Sequence, residues 1–237
     1  MKPALSLLAC ISLAACTVAS DSPPPEVDGG SDSTMVVASG ARVPSQNGPR
    51  VVFLGTSLTA GLGLEGSEDG YVEALDALAD SAGLPMDAVN AGVSGETSAG
   101  GLRRLDWVLR SPLDVLFLEL GANDGLRGQD PEALRNNLVE IIEQTRTRYP
   151  GARIVLAGME APPNLGPIYT TAFRQVFTDV AERHDVVLVP FLLDGVAGVP
   201  ELNQEDRIHP TEEGHAVVAR TVWPHLADVL RDVKGPS

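Results

Sequence analysis

Cysteine is almost absent from this chain. Among 237 residues there are two, Cys10 and Cys16, which excludes a disulfide-dense scaffold. Positive charge is also scarce, with 17 Lys plus Arg against 32 Asp plus Glu and a formal net charge of −15. Broad electrostatic binding to nucleic acid or to an anionic lipid surface wants a basic face, and none is expected here. No apolar run reaches the roughly 20 residues of a spanning helix. The longest, Ala4 to Ala15, is broken by Ser6, Cys10 and Ser12. No His, Asp and Glu cluster has metal-ligand spacing, so neither metal nor cofactor is expected. There is no internal repeat, and the length suits one large domain with an appendage.

The beginning of the chain is an address. Met1 and Lys2 precede the short apolar run in the manner of a secretory signal, and Leu13-Ala14-Ala15-Cys16 resembles the lipobox of bacterial lipoproteins. That resemblance implies cleavage before Cys16 and a thioether to diacylglycerol on its sulfur. Each buried methylene of the acyl chains would add about 0.8 kcal/mol of anchoring. Thr17, in place of Asp, leans toward the outer membrane if the source is Gram-negative. The plainer alternative is an ordinary cleaved signal that happens to contain Cys16. Residues 16–48 lack apolar periodicity and contain Ser20-Asp21-Ser22-Pro23-Pro24-Pro25 and Asp28-Gly29-Gly30-Ser31-Asp32-Ser33, which reads as a tether. Residues 49–237 remain for one well-buried domain.

Within that domain strands alternate with helices. Val51-Val52-Phe53-Leu54, Met86 to Asn90, Asp114 to Leu120, Ile154 to Ala157 and Val186 to Val189 are short apolar runs of the buried-strand type. Between them the spacing predicts helices over Tyr71 to Ser81, Ser98 to Leu109, Pro131 to about Tyr149 and Tyr169 to Arg183. A last helix is expected from about Thr211 to Val233, with Pro224 as a possible bend. The alternation implies a five-stranded parallel sheet with helices on both faces. Reactive groups in such sheets gather beyond the carboxyl ends of the strands.

Four segments stand there. Gly55-Thr56-Ser57-Leu58-Thr59 follows strand one and Asn90 to Thr97 follows strand two. Gly121-Ala122-Asn123-Asp124-Gly125 follows strand three, and Asp206-Arg207-Ile208-His209-Pro210 precedes the last helix. Each has a bland reading: a helix cap for Ser57 or Thr59, a plain loop around Gly92 and Gly95, turn chemistry for Asn-Asp-Gly, and a surface loop with Thr211 as cap. Neither the Gly-x-Ser-x-Gly elbow nor a phosphate loop with Lys-Ser is present. Asp206 and His209, three apart, can place a carboxylate against one imidazole nitrogen and leave the other free. His184, His215 and His225 have no such acidic partner and are expected at helix surfaces or ends.

Taken in order, Gly-x-Ser-Leu, Gly, Gly-x-Asn-Asp and Asp-x-x-His resemble the SGNH, or GDSL, hydrolases over nearly all of residues 50–233. Glu119 to Gly128 and Asn90 to Ser98 are most similar to the bacterial branch of thioesterases, lysophospholipases and arylesterases. The resemblance implies a three-layer flavodoxin-like α/β fold and a serine esterase. It implies Ser57 as nucleophile, His209 as base and Asp206 as its partner. The backbone N–H groups of Ser57 and Gly92, with the Asn123 amide, would form the oxyanion hole. It also places the loop after strand four on the acyl groove, giving Met159, Pro162, Asn164 and Leu165, with Phe191 beside them, as substrate-binding candidates. The expected partner is a small acyl ester, bound by a monomer held to the membrane only by lipid at Cys16. An acyltransferase acting on a cell-envelope hydroxyl, or a non-catalytic binding lipoprotein, would be built on the same fold. One departure stands out: Thr56 occupies the position where the family usually has Asp.

Overall fold

Val51, Val52, Phe53 and Leu54 carry no polar side chain, and the strand they form is buried on both faces. In the computed structural model, which describes residues 48–66 and 68–235, this strand is β1, Arg50–Gly55. It pairs in parallel with β2, Asp87–Gly92, on one side and with β3, Val115–Glu119, on the other. β4, Arg153–Ala157, and β5, Val187–Val189, complete a parallel sheet of order β2-β1-β3-β4-β5. The chain reverses its direction of winding between β1 and β3. This switch point opens a crevice beyond the strand ends.

Helices cover both faces. One layer is α2, Tyr71–Ser81, packed on α8, Glu212–Lys234. The other is α3, Ser98–Arg103, with α6, Pro131–Arg148, and α7, Pro167–Arg183. Short turns complete the set: α1, Ser57–Ala60; α4, Leu105–Val108; and α5, Ala122–Leu126. Phe53, Tyr71 and Phe117 meet with ring centroids 5.2 to 6.2 Å apart, joining β1, α2 and β3 in the core. Asp130 caps α6 by accepting the Glu132 N–H at 3.0 Å with Pro131 in the first turn, and Thr211 caps α8. Both arrangements satisfy N–H groups that a helix start leaves open.

Two elements differ from the sequence pattern. β2 runs two residues further than expected, because Ala91 and Gly92 pair with Leu54 and Gly55. The single helix expected over 98–109 is broken at Arg104, whose backbone leaves the helical region at φ −100 and ψ 4. Its guanidinium turns back instead to Glu96 at 2.6 Å, the Ala91 carbonyl at 2.7 Å and the Gly55 carbonyl at 3.3 Å. That arginine ties together the ends of β1 and β2 at the crevice. The signal, Cys16 and the tether up to residue 47 lie outside the described residues. No helix among the described residues is long and apolar enough to cross a membrane.

Candidate active site

β1 delivers the chain to Gly55, and Ser57 opens the one-turn helix α1, closed by Gly61 at φ 66. The segment carrying His209 doubles back on itself. Asn203 and Pro210 form an antiparallel bridge, and the Gln204 N–H donates to the His209 carbonyl at 2.7 Å. Within that turn Asp206 Oδ1 accepts the N–H groups of Ile208 at 2.9 Å and His209 at 3.0 Å. Asp206 Oδ2 lies 2.6 Å from His209 Nδ1, and His209 Nε2 lies 2.9 Å from Ser57 Oγ. Gln204 Nε2 donates to the Leu62 carbonyl at 2.8 Å, which fastens the histidine turn to the serine turn. Hydrogen bonding to the His209 ring, then to the two N–H groups, holds the Asp206 carboxyl down at about 2. The carboxylate therefore stays ionised and fixes the imidazole tautomer that leaves Nε2 free to accept.

Ser57 borders a cavity of about 690 Å³ that opens to solvent and has a largely apolar wall. Of the five substrate-binding candidates, Met159, Pro162 and Phe191 line it, whereas Asn164 and Leu165 do not. Those two follow Pro163 in the 3-10 turn Pro163–Leu165, of which only Pro163 lines the cavity. Leu58, Leu62, Leu126 and Ile208 also line the wall. Leu58 and Leu62 come from the serine turn, Leu126 from α5 and Ile208 from the histidine turn, so no single local pattern in the sequence marks them as a set. Among the described residues, no three His, Cys, Asp or Glu side chains gather as a metal site.

The donors around Ser57 require a correction. Gly92 is the last residue of β2, and its N–H already donates to Asn90 Oδ1 at 3.0 Å. A Cβ there would sit 2.3 Å from the Ala60 nitrogen, so Gly92 serves close backbone packing and does not border the cavity. Gly95 borders the cavity instead, at φ 78, and its N–H has no protein acceptor among the described residues. The second glycine of the segment, not the first, offers a free donor. Asn123 also lines the cavity. One amide hydrogen goes to the Glu96 carbonyl at 3.0 Å, which orients the group and leaves the other hydrogen for a ligand.

His215 is a second correction. It is 1% exposed rather than at a helix surface, stacked on Tyr71 with ring centroids 6.2 Å apart, and its Nδ1 accepts the Tyr71 N–H at 3.2 Å. Its partner is a backbone N–H 144 residues away, which no local spacing shows. Glu119 is a residue the sequence reading passed over. It is fully buried at the end of β3, between Leu118 and Leu120. A charged side chain inside an apolar strand was the available signal.

In a crevice at the switch point of a parallel sheet, a serine hydroxyl, an imidazole and a carboxylate stand in one hydrogen-bonded line, the set of groups that serine hydrolases use on several unrelated folds. The GDSL-like lipase/acylhydrolase family matches residues 53–217, and the chain belongs to that family of ester-cleaving enzymes. It is 41% identical over 181 residues to esterase TesA of Pseudomonas aeruginosa, covering 76% of this chain and 89% of that protein. It is 34% identical over 187 residues to an arylesterase of Vibrio mimicus, covering 78% and 92%. Among solved structures, the psychrotrophic esterase EstA from a Pseudoalteromonas species, inhibited by monoethylphosphonate, superimposes with a TM-score of 0.72 at 32% identity. That match covers 77% of this chain and 98% of EstA.

Proposed function

We propose that this protein is an exported, lipid-anchored serine esterase that cleaves small carboxylic esters through an acyl-enzyme on Ser57. The observation that carries the reading is the unbroken line Asp206–His209–Ser57, with contacts of 2.6 and 2.9 Å, whose Ser57 and His209 border a largely apolar cavity. His209 Nε2 takes the Ser57 hydroxyl proton as Oγ bonds to the acyl carbon. The oxyanion so formed lies among three donors: the N–H groups of Ser57 and Gly95 and the Asn123 amide. The bond to the leaving group then breaks, and His209 returns the proton to it. Water repeats the sequence in reverse roles, regenerating Ser57 and releasing the acid.

The cavity suits an acyl group of modest or medium length, and the names of the relatives, esterase and arylesterase, support simple acyl and aryl esters. Lysophospholipids and acyl thioesters belong to the same reading, since another relative is a thioesterase and lysophospholipase of Escherichia coli. Residues 1–15 act as the signal, Cys16 carries the lipid, residues 16–48 form the tether and 49–237 the monomeric hydrolase. Turnover of p-nitrophenyl esters of graded chain length by the purified protein tests the chemistry, with Ser57→Ala as control. Equal activity in the two proteins overturns it. Cys16→Ser should release the protein from membranes at unchanged specific activity, and continued membrane attachment overturns the anchor.

A further inference from the structure

Directly beneath Ser57 lies a carboxyl group that the acyl-enzyme chemistry does not use. Glu119 ends β3 in register with Gly55 and has no exposed surface. Its Oε2 accepts the Thr56 N–H at 2.7 Å, the Thr59 N–H at 3.3 Å and the Thr59 hydroxyl at 2.8 Å. The Thr56 hydroxyl lies 3.0 Å from Oε1 and 3.2 Å from Oε2. Thr56 and Thr59 bracket Ser57 in the chain, so one carboxylate grips the serine turn on both sides. Gly55 makes room for this grip. A Cβ there would lie 1.9 Å from Thr59 Oγ1 and 2.6 Å from Glu119 Oε2.

The donor count shows why the group is an acid. Two N–H groups and two hydroxyls converge on it, and an ionised carboxylate, which only accepts, can satisfy all four. An amide in its place would turn an NH₂ toward the Thr56 hydroxyl, which would then have to accept instead of donate. Thr59, donating to Glu119, must accept from the Tyr71 hydroxyl 2.7 Å away. Among the described residues no cation pairs with Glu119. Arg104, which reaches the same strand ends, uses its guanidinium on Glu96 and on the carbonyls of Ala91 and Gly55. The other titratable groups on this side are Tyr71 from α2, with Glu73 acting on it, and His215 from α8, stacked on Tyr71.

We propose that Glu119 is a positioning residue for ester turnover: its ionised carboxylate fixes the turn that presents the Ser57 hydroxyl and N–H to the substrate. The inference rests on the serine-esterase reading. Thr56 thereby gains a reason. Where the family usually places Asp, a second carboxyl would lie within hydrogen-bond distance of Glu119, and like charges that close cannot both ionise. Threonine supplies a donor and leaves Glu119 as the single charge under the turn. Burial drives the Glu119 carboxyl up to about 7, with the four hydrogen bonds pulling the other way. Protonation near neutrality turns one acceptor into a donor, so one of the four contacts must reverse or break.

The test is steady-state ester hydrolysis across pH 5–9 by the wild type, Glu119→Gln, Thr56→Asp and Thr56→Ser. Misplacing a reacting group by about 1 Å can cost about 10²-fold. Glu119→Gln is expected to lower kcat by at least about 10-fold, with KM changed less than about twofold. Turnover needs Glu119 ionised, so the acid limb of log kcat/KM should be steeper in the wild type than in Glu119→Gln, which lacks that ionisation. Thr56→Asp should move the acid limb to higher pH and Thr56→Ser should leave it in place. These two arms decide the matter if Glu119→Gln does not fold. An unchanged slope in Glu119→Gln, or an unmoved limb in Thr56→Asp, overturns the proposal and leaves Glu119 a packing group. Activity persisting in Ser57→Ala would instead overturn the underlying reading, so the two failures are distinct.

Discussion

His209 Nε2 stands 2.9 Å from Ser57 Oγ although 152 positions separate the two residues. The contact is made by two short turns that the sheet brings to one crevice, linked through Gln204 and the Leu62 carbonyl. Side chains complete both turns, Asp206 in one and Glu119 in the other, and each meets a distinct set of partners. That makes individual contributions measurable.

Asp206→Asn keeps the shape of the turn and removes the charge that orients His209. With the carboxylate held at about 2, it is ionised throughout the working range and its loss acts at every pH. A fall in kcat/KM on the order of 10²–10⁴ is expected, with thermal stability nearly unchanged because the side chain is half exposed. Kinetics together with a melting curve check both halves.

Asn123→Ala removes one oxyanion donor. Losses of about 10²–10³ in kcat are typical for one such group, and KM should change little because the ground-state carbonyl needs the donor less. A drop in affinity without a drop in kcat would assign Asn123 to substrate binding.

The two glycines after β2 should separate. Gly92→Ala places a Cβ 2.3 Å from the Ala60 nitrogen, so it should lower the melting temperature and displace α1. At Gly95 no protein atom lies closer than 4.0 Å to a Cβ, and only the left-handed φ of 78 opposes alanine. Gly95→Ala should cost about 1 kcal/mol of backbone strain and lower kcat more than stability. Parallel melting and kinetic measurements on both variants distinguish the packing glycine from the donor glycine.

Asp124 is 2% exposed and accepts the Ser98 N–H at 2.9 Å and the Ser98 hydroxyl at 2.6 Å. Asn137 in turn donates to that hydroxyl at 2.8 Å. Asp124→Ala leaves a buried N–H unpaired, which costs about 1–3 kcal/mol. A lower urea midpoint with an unchanged slope is the expected result.

His215 predicts acid sensitivity. Burial first, then the charge of His209, lowers it from 6.5 to about 4. Nδ1 already accepts the Tyr71 N–H, so the neutral ring carries its proton on Nε2 and a second proton would break that bond. The fold therefore favours the neutral form. This contribution is intact above about pH 6.5 and is lost as pH falls toward 4. Glu119, raised to about 7, has the opposite sign: it favours the fold most below about 4.5 and ceases to do so as pH rises through 7. Only a difference between proteins isolates either group. His215→Gln keeps an acceptor for Tyr71, and its melting temperature should gain on that of the wild type between pH 6.5 and 4.5. Parallel curves would show that His215 is not the sensitive group.

Much of this protein is local, and the sequence by itself determined that part. Strands β1, β3 and β4 are apolar runs that only a doubly covered sheet can bury, and Pro131, Asp130 and Thr211 start helices through groups within three residues of themselves. Ser57, Asn123, Asp206 and His209 stand at element ends, where the alternation of strand and helix leads one to look. The tertiary structure decided what depends on partners distant in the chain. Which glycine offers a free N–H turned on Asn90 Oδ1 and the backbone of α1 occupying the space beside Gly92. Whether His215 lies at the surface turned on Tyr71, 144 residues away. The paucity of cations in the sequence acquires a local meaning at Glu119. This buried acid is held by N–H and hydroxyl donors without an ion-pair partner among the described residues, because packing brings β1, β3 and α1 together at a single carboxylate.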